Sequence, residues 1–245
     1  MKKIILFLVL ISIGSKLLSQ GNYDIQLHKD LAIVLTEDNN ENIKIVNNVL
    51  SDTLSRNCTI LSLHGNFTTL PANIYALSSI DEMMINSSKP VIFDSGFSGF
   101  KKLNNLEIYS EVVSIDRNIR LDSLEYLLLH YTSFRSIPKA IFTWKNLLYM
   151  EIGPGLYSVI PKEISNLAKL EILVLADNKI QSVPDELYSL DKLKVLNLES
   201  TRLITLSSKV CEMKSLEEIY LDGNKRLVLS KKIKECLSEK IRTLY

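Results

Sequence analysis

Five leucines limit what this chain can fold into. Leu124, Leu147, Leu170, Leu193 and Leu216 follow one another at a constant interval of 23 residues, and each opens the same internal pattern. Apolar residues recur three and five positions later, as in Leu170, Leu173 and Leu175, and a further apolar pair closes the unit, as in Leu187 and Leu190. Equal steps with an equal interior are the mark of stacked repeats, in which each unit buries its apolar face only against its neighbours. Read backwards, earlier openings fall near Leu103, Ile80 and Cys58, so about eight units fill residues 58–245. The unit opened by Leu103 is 21 residues long, the last carries an extra residue or two around Lys225 to Leu227, and an incomplete ninth strand is expected to start at Ile241.

The pattern within a unit predicts its structure. In L-x-x-L-x-L, as at Leu124, Leu127 and Leu129, alternate side chains of a short strand point to opposite faces. The leucines face the core and the residues between them face out on a concave side. Eight positions after the opening stands Asn66, Asn178 or Asn224, where an amide can satisfy backbone groups in a buried turn. Ser88, Glu111, Thr132, Gly155 and Thr201 hold that place elsewhere, so the ladder is expected to be incomplete. The return half begins at Pro71, Pro138, Pro161 and Pro184, or at Asp94, Ser207 and Ser230. Pro suits the first helical position and Asp or Ser a cap, which predicts a helical turn on the convex side. Ile141 and Trp144, Ile164 and Leu167, Leu187 and Leu190, and Val210 and Met213 then share its buried face.

From Cys58 to Tyr245 the chain resembles the leucine-rich repeat family. The 23-residue form, with -I-x-x-I/V-P- and -L-x-x-L-x-x-L-, is similar to repeats of secreted bacterial proteins and to intracellular repeats of Ras-associated type. The resemblance implies an α/β solenoid: an arc with a parallel concave β-sheet and short helical or 3-10 turns on the convex side. It also implies a scaffold that binds proteins, and sometimes glycans, on the concave face. An appended enzyme domain and a surface anchor are not recognisable.

Ahead of the repeats, Lys2 and Lys3 precede an apolar run from Ile4 to Ile13. The run is shorter than the roughly 20 residues that span a bilayer and has the length of a signal-peptide core. Residues 1–19 are therefore read as a signal peptide, cut near Ser19–Gln20 or Gln20–Gly21. No Cys follows the run, so a lipid anchor is not expected, and no later segment is apolar enough to span a membrane. The expected location is secreted, periplasmic or cell-surface. Residues 20–57 depart from the repeat and are read as an N-terminal capping segment, with a strand within Ile25 to Leu35 and helical spacing from Ile43 to Leu54. Three cysteines, Cys58, Cys211 and Cys236, make no disulfide framework. Cys236 takes the repeat position of Met213 and is read as core, with a Cys211–Cys236 bridge as the alternative. Taking Lys2, Lys3 and Lys16 from 29 basic residues leaves 26 against 28 acidic ones, so no broad basic field exists to hold nucleic acid.

Outward strand positions carry the candidate site. Tyr126, Leu128, Tyr149, Ile172, Val174 and Val195 form an apolar and aromatic patch on neighbouring strands, ringed by Glu107, Glu151, Asp177, Glu199, Glu218 and Asp222. His130 and Tyr131 lie beside it. Aromatic anchors in an apolar patch with a charged rim mark a protein-binding surface, although β-branched and aromatic residues also favour strands for their own sake. Enzyme readings are weak. His130 could meet Glu107 and Glu151 as a metal or acid–base group, but a solvated histidine is the simpler reading. Gly96-Phe97-Ser98-Gly99-Phe100 only partly matches a nucleophile elbow. No cofactor, metal or catalytic residue is expected. Gly153-Pro154-Gly155 allows close backbone approach and could shape the rim beside Tyr131. The expected function is non-enzymatic binding of a protein partner on the concave face; the alternative is a glycan-binding or adhesive surface protein.

Overall fold

A computed structural model describes residues 32–36, 59–65, 68–70, 74–240 and 242–244. The expected signal peptide, most of the expected cap, Cys58, Asn66 and Pro71 lie outside these residues. The strands are β1 (Ala32–Thr36), β2 (Ile60–Gly65), β3 (Glu82–Ser87), β4 (Val91–Phe93), β5 (Asn105–Tyr109), β6 (Val112–Ile115), β7 (Tyr126–His130), β8 (Tyr149–Ile152), β9 (Ile172–Val174), β10 (Val195–Asn197), β11 (Glu218–Tyr220) and β12 (Arg242–Leu244). Among the described residues one α-helix, α1, covers Lys231–Lys240.

Among the described residues, ten strands form one sheet in the order β1-β2-β3-β5-β7-β8-β9-β10-β11-β12. Neighbours are parallel, and Tyr126, Tyr149, Ile172, Val195 and Glu218 lie in a single row across it. The 23-residue interval is the cause: a constant step brings each strand back with no slip, so inward residues stay inward. Leu124, Leu147, Leu170 and Leu193 are fully buried, as are Ile141, Trp144, Ile164 and Leu187 on the return side. The Trp144 indole N–H donates to the Ile119 carbonyl at 3.3 Å, which satisfies the one polar atom of that side chain. The expected incomplete strand at the C-terminal end is present as β12, paired with β11.

The convex turns are 3-10 helices: Ser95–Gly99, Lys139–Thr143, Lys162–Asn166, Asp185–Ser189 and Ser208–Glu212. Asp94 and Ser207 cap theirs, accepting from the Gly96 and Lys209 amides. Pro138, Pro161 and Pro184 also stand at the cap, one place before the first helical position where the sequence reading put them. Their φ of −60° to −69° fits the extended cap backbone equally well. A second difference is a small parallel sheet of β4 and β6 on the return side, where only turns were expected. The Val-Ile-Phe and Val-Val-Ser-Ile stretches are β-prone, and their alternate residues Val91, Phe93 and Val112 reach the core.

The turn ladder departs from the sequence register in three places. Asn178 and Asn224 take the expected role, donating from Nδ2 to Leu175 O and Leu221 O of their own units at 3.1 and 2.9 Å. They also reach Ile152 O and Leu198 O of the preceding units. Ser88 and Glu111 are exposed; Ser87 and Ser110, one residue earlier, are buried instead, and the Ser87 amide donates to Ser110 Oγ. Gly155 has no side chain to offer, and the buried Tyr157 hydroxyl donates to Ile152 O in its stead. Cys211 and Cys236 form a disulfide with Cα atoms 5.9 Å apart, which ties α1 to the preceding convex turn. The reading of Cys236 as a core thiol is thereby corrected, because the neighbouring unit brings Cys211 into bridging range.

Candidate functional site

The concave candidates are where the strand alternation puts them. Glu107, Tyr126, Leu128, His130, Tyr149, Glu151, Ile172, Val174 and Val195 are half-buried, between fully buried inward neighbours. Glu199, just past β10, is half-buried as well and accepts from Asn197 Nδ2 at 2.9 Å. The patch is less continuous than its members suggest. Tyr126, Tyr149, Ile172 and Val195 form an unbroken apolar row, but in the next row Glu151 stands between Leu128 and Val174, and Glu107 lies on the far side of Leu128. Acids are thus set into the patch as well as around it.

Tyr126 and Tyr149 stack face to face, with ring centroids 4.2 Å apart and an angle of 3° between the planes. Tyr109 stacks on His130 in the same manner at 5.4 Å. The Tyr149 hydroxyl donates to Glu151, and that of Tyr109 to Glu107 at 3.0 Å. Asn105 Nδ2 holds the other Glu107 oxygen at 3.4 Å. His130 Nε2 lies 3.5 Å from Glu151 Oε1. Burial, and then the carboxylates of Glu107 and Glu151, raise the phenol pKa values of Tyr109, Tyr126 and Tyr149 above the ordinary 10. These phenols are therefore neutral donors across the physiological range. Tyr109 was missed as a site residue; its pairing with His130 follows from the shorter, 21-residue unit between them.

The rim follows a rule that the sequence alone did not reveal. Seven positions after their openings, Tyr131, Asp177 and Ser200 have φ of 58°, 56° and 50°, and Gly223 has φ of 75°. In the unit opened by Leu147 the equivalent residue is Pro154, whose ring forbids such a φ, and there the Gly153–Pro154 bond is cis; Ser87 and Ser110, in the two units before Leu124, do not take such a φ either. Tyr131 is 61% exposed. A Cβ on Gly153 would meet Ala176 O at 2.6 Å, and one on Gly155 would meet Asn178 Oδ1 at 2.7 Å and Thr132 Oγ1 at 2.8 Å. The two glycines therefore let this turn pack against Ala176 and Asn178 of the next unit, and Gly155 also against Thr132, which follows Tyr131.

Other candidates do not gather into a site. His64 and His130 lie on strands three steps apart, roughly 14 Å at about 4.8 Å per step. His64 meets Ser62 Oγ at 3.0 Å, and burial lowers its pKa. Among the described residues no three His, Cys, Asp or Glu side chains are close enough to hold a metal ion. Gly96 and Gly99 pack against Tyr75 in a convex turn, away from the sheet. A cavity of about 360 Å³ lies elsewhere, lined by Thr201, Arg202, Gly223, Lys225 and Arg226 among others. No helix among the described residues is long and apolar enough to cross a membrane.

A family model described as leucine rich repeat matches residues 168–225, and one described as a BspA type leucine rich repeat region matches residues 38–120. The second match begins within the segment read as a cap. Neither covers the stretch that holds Tyr126, Tyr131 and Tyr149. No curated protein matches the chain. Among solved structures, the leucine-rich repeat domain of the type III effector XopL is 18% identical with a TM-score of 0.65, covering 89% of this chain and 75% of that one. An internalin (InlF) from Listeria monocytogenes is 20% identical with a TM-score of 0.63, covering 75% of this chain and 53% of that one. A leucine-rich repeat protein of Leptospira interrogans is 23% identical with a TM-score of 0.41, covering 76% and 60%. At these identities the first two likenesses are of fold: the same arc of parallel strands. The chain spans little more than half the length of the Listeria and Leptospira structures.

Proposed function

The chain belongs to the leucine-rich repeat family, and from that premise we propose that it is a non-enzymatic binding protein that takes a protein partner on its concave face, centred on β7 and β8. The observation that carries this reading is Tyr131. It holds a left-handed backbone that costs a residue with a Cβ about 1–2 kcal/mol, at a place where other units have Asp, Ser or Gly. Its ring is exposed, so burial does not offset that cost. A bulky exposed residue kept in a strained turn is better explained by contact with a partner than by folding. At the other end of the same strands, Tyr126, Tyr149, Ile172 and Val195 offer apolar surface, as the anchors of an interface do.

The proposal includes export. Lys2, Lys3 and the apolar run Ile4 to Ile13 support a signal peptide over residues 1–19. The Cys211–Cys236 disulfide supports an oxidising compartment, whether secreted, periplasmic or cell-surface. Residues 20–57 are proposed as the cap that shields the first edge of the sheet, where β1 pairs with β2. Glycan binding is the weaker reading, since Tyr126 and Tyr149 each occupy one ring face with the other.

Site-specific photo-crosslinking tests the proposal. Benzoylphenylalanine is placed at Tyr126, or at the exposed convex Lys162 as control, and the chain is irradiated in envelope and host extracts. A discrete protein adduct from position 126 alone is expected. Equal labelling from both positions, or none from 126 with binding on a glycan array, would overturn it.

A further inference from the structure

The charge of the concave face narrows what its partner can be. Outward positions of β2 to β11, with the residues just beyond them, include Glu107, Glu151, Glu199, Glu218 and Asp222, and no lysine or arginine. The chain is not short of cations, with 29 basic residues against 28 acidic. Elsewhere it pairs acids with lysines of the adjacent unit: Lys139 with Glu163, Lys194 with Glu171 and Lys209 with Asp185. On the concave face Glu107 and Glu151 meet neutral donors instead. Asn105 and Tyr109 hold Glu107, and Tyr149 holds Glu151. Such donors fix the carboxylates in place, and no lysine or arginine of β2 to β11 compensates their charge; Glu151 also has His130 Nε2 at 3.5 Å.

Resting on the concave-face reading, we infer that the partner is a protein segment that presents arginine or lysine beside apolar residues. The sheet has a row for each part. Apolar side chains of the segment lie along Tyr149, Ile172 and Val195, and its cationic groups meet the row in which Leu128 separates Glu107 from Glu151. Covering that row with a neutral surface would desolvate two half-buried carboxylates with no return, and an acidic surface would add repulsion. A cationic segment gains from both, and the one-signed field of the face speeds its approach. The phenols cannot stand in as counter-charges, because burial keeps them protonated.

An array of immobilised random dodecapeptides, probed with the purified full chain, tests this. Bound peptides are expected to be enriched at least tenfold in arginine or lysine adjoining apolar residues. That preference should vanish in Glu107→Gln/Glu151→Gln. It should vanish too in Leu128→Lys, which sets the chain's own ammonium between the two carboxylates and leaves the fold intact by circular dichroism. Bound peptides with no basic preference, a preference that survives both variants, or an array on which nothing binds would overturn the inference. Binding without charge preference that still labels position 126 would sink the inference and leave the concave-face reading standing.

Discussion

The two faces of this solenoid treat charge in opposite ways. On the convex side, Lys139–Glu163 and Lys209–Asp185 pair across units at 2.7 and 2.8 Å, and Lys194–Glu171 pair at 2.6 Å just ahead of β10 and β9. On the concave side, Glu107, Glu151 and Glu218 are held by phenols or amides, and lysine and arginine are missing from the outward positions of β2 to β11. A repeat gives both faces the same chance to pair charges, because a residue about one unit further on always lies alongside. The convex face takes that chance with lysines; on the concave face the corresponding approach is that of His130 to Glu151 at 3.5 Å. That difference is the ground for proposing that a partner completes the concave surface, whereas the convex surface pairs its charges within the chain.

Substitutions on the two sides of one strand probe that division most sharply. Leu129 faces the core of β7 and Leu128 faces out. Leu129→Ala is expected to lose about 2–5 kcal/mol in chemical denaturation. Leu128→Ala should leave the denaturation midpoint nearly unchanged while weakening partner binding. Comparable stability losses would mean that the outward row serves the fold. A smaller effect is expected within the ladder: Tyr157→Phe removes one of two donors from Ile152 O, Asn178 Nδ2 remaining at 3.1 Å, and should lower stability by about 0.5–1.5 kcal/mol. Smaller again, and of opposite sign, Tyr131→Gly should raise the midpoint by up to about 1 kcal/mol, less the entropy that glycine loses on folding. The same change should impair binding, and a variant that is more stable yet binds as well would break the claim that Tyr131 is kept for contact.

The smallest effect concerns alkaline pH. The Tyr149 phenol has a raised pKa in the folded chain, through burial and then its bond to Glu151. Between the ordinary value of 10 and that higher one, the folded chain holds a proton that the unfolded chain has lost. Stability is therefore complete below pH 10 and falls as pH rises beyond it. Melting scans from pH 8 to 11 should show a shallower decline in Tyr149→Phe than in the parent chain.

Much of the fold was legible because one number carried it. The 23-residue interval implied the row alignment, the inward leucines and the outward candidates, and the 21-residue unit still aligned Tyr109 with His130. What escaped the sequence were contacts between units that break the average pattern. Ser87 and Ser110 replaced the expected ladder positions because two irregular units shift together. Tyr157 serves where Gly155 has nothing to offer, and Cys211 meets Cys236 only once the last turn stacks on its neighbour. At the concave face, residue types were legible but their grouping was not. Read as a set, the apolar residues looked continuous; read row by row, Glu151 divides them.

The central claim is that the concave tyrosines serve a partner more than they serve the fold, and one paired measurement tests it. The affinity of the partner caught at position 126 and the melting temperature are measured on the same samples of the parent chain and Tyr126→Ala/Tyr149→Ala. The stacked pair is worth about 0.5–1.5 kcal/mol beyond its burial, so the melting temperature should fall by only a few degrees. Affinity should fall by more than about tenfold, the equivalent of ~1.4 kcal/mol. An affinity unchanged in a variant that melts far earlier would show that the tyrosines belong to the scaffold, and would contradict the account.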